Sequence, residues 1–221
     1  MRGSRPFSIA VLISGSGTNL QALIDAIAEE RIPARIDCVI SNRPAAGGLA
    51  RAERAGIAAV VVDYRQFADR AAYDAALAEQ LERRSPDLVV LAGFMRILTD
   101  AFVRRFMGRL INIHPSLLPA YRGLHTHERV LEAGDRHHGC SVHYVTPELD
   151  AGPVIARAVV AVQPGDRAAD LQSRVQAAEH RLYPQVVAWL AQGRVRLQSG
   201  HVQFDGRPVT SPLQLDAEPV S

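Results

Sequence analysis

Phe7-Ser-Ile-Ala-Val-Leu-Ile13 runs straight into Ser14-Gly-Ser-Gly-Thr-Asn19, and Leu20, Leu23, Ile24 and Ile27 follow at helical spacing. An apolar run, a glycine turn and an amphipathic stripe spell strand, loop, helix. A run without alternation suits a strand covered on both faces, as in a parallel sheet. The first helix is expected over 19–30, and the same grammar then repeats. Strands are expected at 36–40, 57–62, 88–92 and 109–113, with helices at 49–55, 70–84 and 100–107. Gly56 closes one of these helices and Pro86 lies just beyond another. The alternation predicts an α/β fold: a Rossmann-like, open, mostly parallel sheet with helices on both faces.

After Pro115 the pattern changes. Residues 117–132 read as loop and helix, and 140–145 and 154–162 read as strands suited to antiparallel addition in the C-terminal part. A long helix begins near Asp166, with Leu171, Val175, Ala178, Leu182 and Val186 on one stripe and Pro184 expected to kink it. One short hairpin is expected around Phe204-Asp205-Gly206. Neither an internal repeat nor a linker is visible, so a single domain over 1–221 is expected, with flexible ends at 1–6 and roughly 207–221.

Hydrophobic residues make up 48% and charged residues 22% of the 221, enough apolar material for a real core. The net charge of +2, from 25 basic and 23 acidic residues, gives no electrostatic case for a nucleic-acid or membrane partner. No stretch approaches the ~20 apolar residues of a membrane span, and the first apolar run is too short for a signal peptide. A cytoplasmic protein is expected. Cys38 and Cys140 lack the paired spacing of a zinc site or disulfide framework and read as buried thiols. His125, His127, His137, His138 and His143 crowd one region but show no tight ligand set with acidic or thiolate support, so no metal is expected.

The turn Ser14–Asn19 suits a phosphate. Glycines let a ligand approach the backbone, and the following helix offers unpaired N–H groups; Thr18 and Asn19 are suited to capping that helix. It is not the dinucleotide fingerprint, since Leu20 stands where a third glycine belongs and the second strand closes on Ser41-Asn42-Arg43. It lacks the lysine of a Walker loop. One phosphate, as on a phosphosugar, fits better.

A second motif, Asn112-Ile-His-Pro-Ser116, places Asn112 and His114 on one face of a strand end. Glu148-Leu-Asp-Ala-Gly-Pro153 adds Asp150. An amide, an imidazole and a carboxylate supply an oxyanion donor, a proton carrier and an orienter, the roles acyl-type chemistry needs. Singly each has a plainer reading: Asn112 as a turn cap, His114 as a satisfied strand-end histidine.

With Leu91-Ala-Gly-Phe-Met-Arg-Ile-Leu98, Ile111-Asn-Ile-His-Pro-Ser-Leu-Leu-Pro119 and Gly123-Leu-His-Thr-His127, these motifs resemble the phosphoribosylglycinamide formyltransferase family over 7–206. The resemblance implies the formyltransferase fold and formyl transfer from 10-formyltetrahydrofolate to the amine of 5'-phosphoribosylglycinamide in de novo purine biosynthesis. It implies a folate co-substrate, no tightly bound cofactor, and a monomer or homodimer. Asn112, His114 and Asp150 match the catalytic trio. Gly17, Thr18 and Asn19 match the phosphate contacts and Glu179 the ribose contact. The folate pocket is matched by Met95, Arg96, Ile97, Leu98, Arg70, Asn112 and the run Thr146, Pro147, Glu148, Leu149, Asp150. On the residues alone, Arg96 and Glu179 read equally as solvated side chains, and Arg70 as an ordinary first-turn residue. Ala151 departs from the family pattern, where a second glycine often follows the aspartate.

Three rival functions stand beside this one. A hydrolase of the same folate is expected to carry an added N-terminal domain, and an enzyme formylating initiator tRNA a basic C-terminal domain. A phosphosugar-sensing module would not need Asn112, His114 and Asp150 together.

Overall fold

The structure is a computed structural model that describes residues 5–215. The chain forms two compact units, Met1–Ile111 and Asn112–Ser221.

The first unit contains β1 (Phe7–Ile13), α1 (Thr18–Ala28), β2 (Ala34–Ser41), α2 (Gly47–Arg54), β3 (Ala58–Val61), a 3-10 turn (Tyr64–Gln66), α3 (Arg70–Arg84), β4 (Leu88–Leu91) and α4 (Asp100–Arg105). β1 pairs in parallel with both β2 and β4, and β2 with β3, giving the order β4-β1-β2-β3. Consecutive residues of β1 from Ser8 to Ile13, and all of β4, are buried. That burial requires cover on both faces and explains why neither strand alternates. The chain leaves β1 on one side toward β2 and β3, then returns to the other side as β4. Ligands of open α/β sheets bind at such a reversal, outside the carboxyl ends of the strands. The turns leaving β1 and β4 are tied together there: Ser14 N donates to Gly93 O at 3.1 Å, and Met95 N donates to Ser14 Oγ at 2.8 Å.

β5 (Leu110–His114) runs across the boundary between the units. The second unit adds α5 (Thr126–Ala133), β6 (His137–Tyr144), β7 (Val154–Ala161), α6 (Ala168–Ala191), β8 (Val195–Gln198), β9 (His201–Phe204), β10 (Arg207–Pro208) and β11 (Leu213–Leu215). β6 and β7 are antiparallel, and β11 lies parallel to β7. α6 packs on both β6 and β7.

Pro184 does not end α6, which continues to Ala191. The proline removes one backbone donor, but Leu182, Tyr183, Val186 and Val187 around it are buried and their packing holds the turn. The tail forms a three-stranded meander, β8-β9-β10, where one hairpin was expected. Its two-residue turns, Ser199-Gly200 and Asp205-Gly206, have all four φ angles positive, the mirror-image turn that matches strand twist. Strands β10 and β11 lie within the stretch expected to be a flexible end. Residues 1–4 and 216–221 of the expected ends lie outside the described residues.

Candidate active site

Asn112 and His114 leave the same face of β5, and Pro115 stops the strand directly after the histidine. The following loop is pinned by serines: Ser116 Oγ donates to Ala120 O, Ser141 Oγ donates to Ser116 O, and Leu118 N donates to Ser141 Oγ. His114 is 6% exposed. Its Nδ1 lies 3.4 Å from Asp150 Oδ2 and its Nε2 lies 3.0 Å from the Tyr121 carbonyl oxygen. A carbonyl and a carboxylate only accept, so this arrangement is complementary to a doubly protonated ring.

Asp150 sits in the left-handed region at φ 50°, which aspartate tolerates better than most side chains. Its Oδ2 also accepts from Gly123 N at 2.9 Å. Tyr121 at φ 56° and Gly123 at φ 80° thus present one turn to both residues, a carbonyl to His114 and an N–H to Asp150. Two positions later, a Cβ on Gly152 would meet Tyr144 O at 1.7 Å, so this loop passes too close to β6 for any side chain. Ala151 is outside the left-handed region, and its methyl group imposes no backbone strain.

His143 completes the cluster. It is 2% exposed; its Nδ1 faces the Tyr144 carbonyl oxygen at 3.0 Å, and its Nε2 lies 3.2 Å from Asn112 Nδ2 and 3.8 Å from Asp150 Oδ1. A carbonyl cannot donate, so Nδ1 carries the proton and Nε2 accepts from the Asn112 amide. Burial pushes the His143 pKa well below its ordinary value against the pull of Asp150, which keeps this ring neutral.

The other predicted site residues of the second unit are spread more widely. Glu179 is buried in α6, so it is not the solvated residue the plainer reading allowed. Pro147, Glu148 and Leu149 are exposed on the loop before Asp150, where Arg122 Nη1 donates to Glu148 Oε1 at 2.7 Å and Thr146 Oγ1 donates to Glu148 O at 3.3 Å.

In the first unit, Gly17 at φ 72° is the N-cap of α1 and, as glycine, brings no side-chain cap of its own. Thr18 and Asn19 are its first two residues, which corrects the expectation that they cap it. The left-handed glycine takes the cap position because a Cβ there would meet Gly48 Cα at 2.6 Å, while Gly48 N donates to Gly15 O at 3.0 Å. Gly15, in contrast, faces open space. Arg51 Nε donates to Ser16 O at 2.8 Å, which sets a guanidinium beside the turn. After β4, Met95 and Ile97 are 62% and 61% exposed while Leu98 is buried. Arg96 is half-buried with its guanidinium 4.3 Å from the Tyr64 ring centre, which overturns the solvated reading. Arg70 is exposed at the first position of α3, behind an Asp69 cap.

Residues 7–187 match the Formyl transferase family. The phosphoribosylglycinamide formyltransferase of Escherichia coli is 52% identical over 200 residues, 90% of this chain and 94% of that protein. The chain belongs to the formyl transferase family, in its phosphoribosylglycinamide formyltransferase branch. The structure of the phosphoribosylglycinamide formyltransferase from Coxiella burnetii superposes with a TM-score of 0.92 at 47% identity, covering 96% of this chain and all of that one. A formyltetrahydrofolate deformylase from Pseudomonas syringae is more distant, at 26% identity and a TM-score of 0.83, and this chain covers 66% of it.

In this formyltransferase Cys38 and Cys140 are the buried thiols expected, and burial raises the Cys38 pKa to about 11 and pushes Cys140 higher still. The crowded histidines separate into different settings. His127 Nδ1 lies 3.0 Å from His138 Nε2, and burial lowers His138 to about 4. Among the described residues no group of three or more His, Cys, Asp or Glu side chains is placed to hold a metal ion. Tyr121 and Arg51 are members of this formyltransferase's candidate sites that sequence reading passed over, and His143 stood there only as one of the crowded histidines. His143 lies in β6, which is buried continuously from His138 to Tyr144, and no spacing encodes its link to Asn112 on the neighbouring strand.

Proposed function

We propose that this chain transfers the formyl group of 10-formyltetrahydrofolate to the amine of 5'-phosphoribosylglycinamide, giving formylglycinamide ribonucleotide and tetrahydrofolate in de novo purine biosynthesis. The observation that carries the reading is the cluster Asn112–His143–Asp150–His114 at the end of β5, in a chain 52% identical to a phosphoribosylglycinamide formyltransferase. The amine attacks the formyl carbon and the formyl oxygen becomes an oxyanion. Asn112 Nδ2 has one N–H on His143 and a second to offer that oxygen. A charged His114, oriented by Asp150 and the Tyr121 carbonyl, stabilises the same charge. The carbon–nitrogen bond to the acceptor forms, the bond to the folate nitrogen breaks, and one proton passes from the amine to the departing nitrogen. Neither a metal nor a covalent enzyme intermediate takes part.

The turn Gly17, Thr18, Asn19 is assigned to the phosphate of the acceptor and Glu179 to its ribose. Met95, Arg96, Ile97, Leu98, Arg70, Asn112 and 146–150 are assigned to the folate. Exposed Met95 and Ile97 support this, since apolar side chains held out to solvent suit a flat apolar ligand. Among the described residues no helix is long and apolar enough to cross a membrane. A cytoplasmic enzyme working as a monomer or homodimer, its chain acting as a single formyltransferase domain, completes the proposal.

The test is a formyl-transfer assay in which glycinamide ribonucleotide, water and charged initiator tRNA compete as acceptors. The glycinamide ribonucleotide is expected to take the formyl group. Formate released faster without that acceptor than with it would point to a hydrolase instead.

A further inference from the structure

The loop between β4 and α4 carries Met95–Leu98, yet no strand or helix holds those residues. Two side-chain anchors fix it from the β3–α3 side. Buried Asp74 accepts from Thr99 N at 2.6 Å and holds the far end of the loop, where Thr99 also caps α4. The middle is held by Arg96. Its Nε is buried with no hydrogen-bond partner among the described residues. The guanidinium instead lies 4.3 Å from the Tyr64 ring centre and 5.7 Å from that of Tyr73. A cation stripped of water binds an aromatic face more strongly than one left in solvent, and the flat guanidinium stacks well.

Tyr64 itself is placed by a local device. It opens the 3-10 turn whose N-cap, Asp63, accepts from Arg65 N at 3.1 Å and from Arg65 Nη2 at 2.7 Å. The Arg65 guanidinium holds the Asp63 carboxyl below the usual carboxylate range, so the cap stays charged.

We propose that Tyr64 is a positioning residue for folate binding: its ring holds the Arg96 guanidinium, and that contact sets the backbone of Met95–Leu98 in the shape that receives the folate. The proposal rests on the reading that these residues form the folate site. With Arg96 turned inward, the exposed side chains on either side of it, Met95 and Ile97, point away from the anchor and are left for the ligand.

The experiment measures the Kd of a non-reactive folate analogue by calorimetry, and KM for both substrates, in the parent enzyme, Tyr64→Phe and Tyr64→Leu. Phe keeps the ring face and is expected to stay within about twofold of the parent. Leu is expected to raise the folate-analogue Kd and the folate KM about tenfold, with the glycinamide ribonucleotide KM and kcat little changed. In an Arg96→Met background, Tyr64→Leu should cost little more, because the contact is already gone. A folded Leu variant with the parental folate Kd, equal losses in both substrates, or fully additive losses in the double variant would overturn the proposal. Should Tyr64→Leu fail to fold, Tyr64→Met answers the same question. A parent enzyme that does not bind the analogue sinks the folate site itself, whereas a binding parent with indifferent variants sinks only the role of Tyr64.

Discussion

At Asp150 one carboxylate serves two neighbours: the His114 ring and the Gly123 N–H. Replacing it by asparagine keeps the shape and removes the charge that orients the His114 ring. In a serine protease triad the analogous change costs ~10⁴ in rate. Asp150→Asn is expected to lose most of kcat, with both KM values near those of the parent, because the lost interaction is strongest when charge develops on the formyl oxygen. Steady-state kinetics beside a melting curve decides this, and a well-folded variant with near-parental kcat removes Asp150 from the mechanism. His143 acts one step further back. His143→Phe fills the buried space but leaves the Asn112 amide without its acceptor, so the amide turns and the oxyanion donor is misaimed. A loss in kcat approaching the about 100-fold of a deleted oxyanion donor is expected. Unchanged kcat in a folded His143→Phe enzyme would show that Asn112 holds its orientation without that bond.

At the scale of the element, the glycine turn between β1 and α1 answers to two masters. Gly17 is fixed by the fold, since any Cβ there would run into the Gly48 backbone. Valine at Gly17 would therefore damage the α1–α2 contact whether or not a phosphate binds, and its effect says little about ligands. Gly15 faces open space at an ordinary φ, so Gly15→Val tests the turn as a phosphate site without that clash. The expected outcome is a parental melting temperature and folate affinity, with the glycinamide ribonucleotide KM raised about tenfold or more. A parental KM in that variant would make the turn purely structural on this side. The turn was legible as a phosphate site because glycine beside a helix start has a direct electrostatic meaning. The cap residue was not, because Gly17 takes that position through a contact with α2, a helix 30 residues along the chain.

For the molecule as a whole, the buried histidines set the response to acid. Burial lowers His127, His138 and His143, with His138 at about 4. An unfolded chain accepts protons at these sites below about 6.5 while the folded protein refuses them. The unfolded state therefore binds more protons as the pH falls from 6.5 toward 4, and stability drops across that window by about 1.4 kcal/mol per pH unit for each histidine that stays neutral. Above pH 7 these groups contribute no slope. Urea unfolding at pH 7.5, 6.0 and 5.0 checks this: the midpoint should fall steeply with acid in the parent, and less steeply in His138→Gln. A midpoint flat from 7.5 to 5.0 would mean that the histidines take up protons in the folded state.

The sequence by itself determined the alternation that makes the α/β fold, the strand end carrying Asn112 and His114, and the loop carrying Asp150. Each of these is written in a short window, where periodicity, a stopping proline or a motif has a direct physical meaning. The antiparallel β6–β7 pair was legible for the same reason. Only the tertiary structure decided which neighbours those residues meet. Tyr121 reaches His114 through a left-handed turn, and His143 reaches Asn112 from the next strand. Arg96 lies on a tyrosine that stands 32 residues earlier. Helix α6 passes through Pro184 because buried neighbours outweigh one missing hydrogen bond. These outcomes depend on packing between segments far apart in the chain, and no local pattern in a single sequence states which distant side chains share a buried space.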